Sequence, residues 1–228
     1  KLEKIGVGRL LLAILTFTFV VYLIPGLFGA PLKGLAGYLP PQSTLDFDIN
    51  RIIRDNIKVA TSKNPDSKVA HTGKRKYSDL FHLPHGLEGY FDYQEALEAS
   101  KKENKPIFID FTGHGCVNCR EMEATVWVEP EVLRRLSQDY SLLALYVDDP
   151  TALPQSEWVT APAGKVNKTI GKVNANLQIE RFNNNAQPYY VLLDTDGEML
   201  IKKPKAYDLN PANFVDYLDK GLDEFKKR

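Results

Sequence analysis

Ile107–Glu123, IFIDFTGHGCVNCREME, decides how the chain is read: an apolar run carrying one acid, Asp110, leads into a short glycine-bearing loop and then Cys116-x-x-Cys119. These are the only two cysteines in the chain. Ile107–Phe111 reads as a strand, and the residues after the loop read as the opening of a helix. A Cys-x-x-Cys in that place suits a dithiol redox site, because the first sulfur then lies at the helix N-terminus. There the unsatisfied backbone N–H groups and the positive dipole end favour a thiolate, the nucleophile of disulfide exchange.

The helix end alone is not enough. It contributes about 0.3–1 kcal/mol, less than the roughly 1.4 kcal/mol that separates a thiol of pKa about 8.5 from one a unit lower. Cys119 can add to it, since its S–H and backbone N–H fall one turn later, within reach of the Cys116 sulfur. Helical spacing puts Cys116, Cys119 and Glu123 on one face, at i, i+3 and i+7. Asp110 lies just beneath the loop. Two nearby carboxylates oppose thiolate formation, so Asp110 and Glu123 read as proton acceptors that poise the pair and help deprotonate Cys119 when it resolves a mixed disulfide. The plain alternative, two inert buried thiols, fits poorly with a Gly-His-Gly loop directly before them.

These residues resemble a known family. Asp110, six residues before the first cysteine, matches the buried acid of thioredoxins, and Gln187-Pro188 is similar to the thioredoxin cis-proline. Lys105–Glu123, with its Cys-Val-x-Cys site and an acid four residues after the second cysteine, resembles the C-terminal thioredoxin-like domain of the DsbD family of membrane-bound thiol:disulfide interchange proteins. That likeness covers roughly Phe91–Lys227 and a preceding membrane helix. It departs from common thioredoxin at Gly115, where tryptophan is usual, and at Asn118, where proline is usual. The resemblance implies a redox-active Cys116–Cys119 disulfide with no further cofactor and no metal. It also implies a partner-binding surface around His114, Gly115, Gln187 and Pro188, and a place in electron delivery of the kind that serves cytochrome c biogenesis. The electron donor is then a membrane-embedded domain of the same protein, and the recipients are periplasmic thiol:disulfide proteins.

The totals agree with one such domain and about 90 residues besides. Acidic and basic residues balance at 29 each, so no global field argues for nucleic acid. A chain starting at Lys1 without methionine suggests a fragment of something longer. Val7–Ile24 is an apolar run interrupted only by Arg9, long enough to cross a bilayer if Arg9 snorkels; a signal peptide is the alternative. Lys1, Lys4 and Arg9 on its N-terminal side place the C-terminal domain outside the cytoplasm by the positive-inside rule. The expected division is therefore a bacterial inner-membrane helix with its flanks over 1–29, a tether or linker over 30–90, and a periplasm-facing α/β domain of thioredoxin-like fold over 91–228, a central mixed sheet flanked by helices.

Within the linker a short helix is expected over Ile49–Ile57, then a solvated polar stretch. His82 and His85 read as loop residues, and Lys74-Arg75-Lys76 as a surface patch. Asp92 and Glu95 form a capping-box pattern for a helix over Tyr93–Glu103. Ser141–Val147 reads as a buried parallel strand, Asp148–Asn167 as a surface loop, and Thr169–Phe182 as a helix. Asp196-Gly197 signals a hairpin from strand Tyr189–Leu193 to Glu198–Lys202. Asn210-Pro211 opens a final helix through Phe225. His114 either steadies the thiolate when protonated or sits exposed in its loop. Two rival functions stand beside dithiol exchange: copper(I) carried by Cys116, Cys119 and His114, since soft thiolates suit that ion, and a docking module without turnover.

Overall fold

The computed structural model describes residues 6–30, 75–162 and 164–228, with isolated positions at 32, 34–35, 38–39, 49 and 52–53. The tether after residue 30, most of the short helix expected over Ile49–Ile57, and Lys74 of the basic patch lie outside the described residues.

Helix α1, Val7–Leu23, is predominantly apolar, with Arg9 its one charged residue, and buries none of its residues; a 3-10 turn, Ile24–Phe28, extends it. Together they form a 22-residue stretch that is long and apolar enough to cross a membrane.

The domain begins earlier than residue 91. Phe81, Leu87 and Tyr90 are buried, and Tyr90 bridges Leu143 through hydrogen bonds to Leu142 and Ala144. Residues 75–90, assigned by sequence to the linker, therefore pack on the domain as a strap. Its polar anchors are the Lys76 ammonium, bound to Asp92 at 3.0 Å and Glu157 at 2.7 Å. Glu95 does not close the expected capping box. Its carboxylate accepts instead from the Lys76 N–H, while Asp92 caps helix α2, Tyr93–Glu103, by accepting from the N–H groups of Gln94 and Glu95.

The core is a four-stranded sheet in the order β2-β1-β5-β6, comprising β1 Ile107–Thr112, β2 Ser141–Tyr146, β5 Tyr189–Leu193 and β6 Lys205–Ala206. The β1 and β2 strands are parallel, and β5 runs antiparallel to β1 and β6. Between β1 and β2 come helix α3, Val117–Met122, a π-helical turn, Glu123–Trp127, and helix α4, Pro130–Gln138. Helix α5, Ile170–Phe182, and helix α6, Pro211–Lys226, complete the layers. This is a thioredoxin-like α/β fold, a mixed sheet flanked by helices.

Alternation along β1 sorts the core. Ile107, Ile109 and Phe111 pack with Ala96, Leu143 and Leu145 on one face. Phe108 packs with Met122, Trp127, Leu136 and Phe214 on the other. Asp110 shares the parity of Phe108 and so belongs to the face covered by the helix that carries the cysteines.

Two loop expectations are corrected. Asp148–Asn167 is not all loop: it holds a 3-10 turn, Gln155–Glu157, and a small hairpin of β3, Val159–Thr160, with β4, Val166–Asn167. The turn at Asp196-Gly197 forms, with Gly197 at φ +85° and Asp194 accepting from the N–H groups of Asp196 and Glu198. The expected return strand Glu198–Lys202 shrinks to one bridge, Leu193 to Met199, and regular pairing resumes only at β6. Pro204 directly before β6 has no N–H to give a continuous ladder.

Candidate active site

Cys116 and Cys119 are joined in a disulfide, with Cα atoms 5.2 Å apart. Cys116 is the N-cap of α3, and its sulfur accepts the Cys119 N–H at 3.2 Å. The two sulfurs are not equivalent. Cys116 is half-buried on the rim of an open groove of about 410 Å³, whereas Cys119 is 1% exposed. Gly115, Val117, Asn118 and Gln187 also line that groove. The Gln187-Pro188 peptide is cis, and the Gln187 side-chain amide is tied to the Gln178 side chain at 3.0 Å and the Asn185 carbonyl at 2.8 Å. The fold thus brings Gln187 and Gly115 beside Cys116.

His114 is placed differently. Its ring lies 4.7 Å from that of Tyr146, and its Nε2 meets Asp149 Oδ2 at 2.9 Å. It is exposed on one side and turned to a carboxylate. Burial pushes the Asp149 carboxyl up, but hydrogen bonds from His114 and from Thr151 outweigh it and hold Asp149 below the usual range.

Asp110 and Glu123 are both buried. Asp110 Oδ1 has no hydrogen-bond partner, and an unpaired buried carboxylate is costly in its charged form. Burial first, and the charge of Glu123 second, hold Asp110 well above the usual carboxylate range despite Arg120. Burial also pushes Glu123 up, to about 7, against the pull of Arg120.

Three residues of the site escape the sequence reading. Arg120 lies within the helix, its Nη1 on Glu123 Oε2 at 2.9 Å and its Nη2 on Thr112 Oγ1 at 3.0 Å. Its only sequence signal is a position one residue after Cys119. Asp148 shapes the loop before the cysteines: its two carboxylate oxygens accept the N–H groups of His114 at 2.8 Å and Gly115 at 2.9 Å. A Cβ on Gly113 would stand 2.8 Å from the same carboxylate, which would have to shift to admit it. The third is Tyr146, whose ring stacks on Phe81 of the strap at 4.5 Å. Both Asp148 and Tyr146 lie at the C-terminal end of β2, where an open sheet places its sites. Among the described residues, no group of three or more His, Cys, Asp or Glu is close enough to hold a metal ion.

Comparison with solved structures finds a DsbH oxidoreductase, 19% identical over 67% of this chain and 95% of its own, with a TM-score of 0.45. The oxidised C-terminal domain of Neisseria meningitidis DsbD is 16% identical over 59% of this chain and 99% of its own, with a TM-score of 0.41. A thioredoxin from Thermus thermophilus is 19% identical over 58% and 85%, with a TM-score of 0.42. No curated protein sequence matches the chain. The profile of the family described as a thioredoxin-like domain matches residues 93–222, more than half of the 228 residues, and its span contains the cysteine pair, both acids and Pro188. The chain belongs to the thioredoxin-like domain family.

Proposed function

We propose that the protein is a membrane-anchored thiol:disulfide reductase. In this reading it takes electrons from a membrane-embedded donor domain and passes them to thiol:disulfide proteins of the periplasm. The observation that carries the reading is the unequal exposure of a bonded sulfur pair, with Cys116 at the groove and Cys119 behind it. The likeness of Lys105–Glu123 to the DsbD family supports the choice of donor and compartment, and α1 is the anchor. The Cys116–Cys119 dithiol is the only redox group the reaction requires.

In the reduced protein the Cys116 thiolate attacks one sulfur of a partner disulfide. A Cys116–partner S–S bond forms, the partner's own S–S bond breaks, and its second sulfur leaves as a thiolate. Cys119 then gives up its proton and attacks the Cys116 sulfur, closing the Cys116–Cys119 bond and releasing the partner as a dithiol. Two electrons have passed to the partner. The Cys119 N–H already points at the Cys116 sulfur, so it stabilises negative charge there. The groove beside Gln187 and Pro188 takes the partner's extended chain.

Cys119→Ser should accumulate covalent adducts with oxidised partners, visible as reductant-sensitive bands on non-reducing gels. Cys116→Ser should give none. If Cys119→Ser forms no adduct while Cys116 still reacts with a small thiol reagent, the exchange function is wrong.

A further inference from the structure

Arg120 has no role in the exchange steps just described, yet it lies inside the site. Its side chain and that of Glu123 are each 11% exposed. Nη1 donates to Glu123, while Nη2 donates to Thr112 Oγ1 and, at 3.4 Å, to the Gly113 carbonyl, which ties the guanidinium to the end of β1. A guanidinium does not lose its proton in a protein. Burying one is tolerable when an ionised partner faces it, and Glu123 is that partner. Asp110 stands in contrast, with Oδ1 buried and receiving no hydrogen bond. The two acids therefore live in unlike environments, which assigns them unlike proton states.

We propose that Arg120 is a positioning residue for the resolving half of the exchange: by holding Glu123 ionised and fixed in direction, it makes Glu123, and not Asp110, the acceptor of the Cys119 proton. In that step the Cys119 S–H bond breaks, its proton moves to a Glu123 carboxylate oxygen, and the sulfur's electron pair forms the bond to Cys116 as the partner's sulfur leaves. The groups facing Glu123 are Asp110 from β1, Tyr146 from β2, Tyr190 from β5 and Arg120 on its own helix. His85 Nε2 meets the Glu123 backbone carbonyl at 2.7 Å. Of the side chains around the carboxylate, Arg120 is the one with a fixed positive charge. Glu123 at about 7 and Asp110 well above the usual range agree with this division of labour.

The inference rests on the exchange function, and one assay separates the two. Reduced full-length protein in detergent is mixed with dithiobis-nitrobenzoate. The first equivalent of coloured thiolate released reports attack by Cys116, and the second reports resolution by Cys119. Arg120→Met should leave the first phase and slow the second at pH 7 by roughly fivefold, moving its pH midpoint upward from about 7 by about one unit. Arg120→Lys should restore most of the rate. A second phase with the wild-type pH profile in Arg120→Met overturns the proposal, and so does Arg120→Lys no faster than Arg120→Met. Should Arg120→Met not fold, Glu123→Gln decides: it must slow the second phase and erase its pH dependence near 7, and an unchanged profile overturns the proposal. Absence of the first phase in the unsubstituted protein would sink the exchange function and this inference with it.

Discussion

Asp110 shows what one buried carboxyl does to the whole protein. Its pKa in the folded state is raised above the unfolded value, so its contribution is most favourable below the ordinary carboxylate pKa and turns costly as pH rises through the folded value. Asp110→Asn should therefore raise the melting temperature more at pH 8 than at pH 5, measured by thermal unfolding of the full chain. An equal change at both pH values would mean that Asp110 is not held protonated. The sequence made this residue legible, because an acid inside IFIDF is conspicuous in an apolar strand. It left Arg120 hidden: in CREME a charge among charges reads as helix surface, and its burial depends on Thr112, eight residues back, and Glu123, three ahead.

Elements meet at close quarters around the exit of β2. Helix α5 crosses this exit so tightly that a Cβ on Gly171 would stand 2.5 Å from the Asp149 N and 2.8 Å from the Val147 O. Both contacts are backbone and cannot swing aside, so Gly171→Ala should cost about 1–3 kcal/mol in denaturant unfolding. A nearly neutral result would show that α5 can lift. On the other side of the same exit, Asp148 holds two N–H groups of the loop before Cys116. Asp148→Ala should make the amides of His114 and Gly115 exchange with solvent faster, with α6 unchanged, in hydrogen-exchange measurements. The strands and helices here were readable from local signals: the buried run Ser141–Val147, the helix over Thr169–Phe182, Asn210-Pro211 at the start of α6. The contacts between them were not, since His114 and Asp148 are 34 residues apart and no periodicity links them.

At the scale of the whole molecule, the sequence reading misplaced one boundary, that between linker and domain. The polar run before Ser78 drew the linker reading onward to residue 90. It hid the apolar set Phe81, Leu87 and Tyr90, which has no helical or strand period because the strap is irregular chain. Phe81 is 2% exposed and packs against Phe91 and Tyr146, so Phe81→Ala should cost about 3–5 kcal/mol. Chemical denaturation would check this, and a loss below about 1 kcal/mol would return the strap to the status of linker. The proposed anchoring by α1 is tested separately. The full chain should stay with membranes through an alkaline wash, and a chain lacking residues 7–28 should not.

Tyr90 carries one more consequence. By hydrogen-bonding both to Leu142 and to Ala144 it occupies the outer margin of β2. The opposite margin is a strand of two residues preceded by a proline. Neither flank offers a long row of open amides on which another molecule could zip itself. Each end of the sheet is thus closed to a second copy arriving edge to edge.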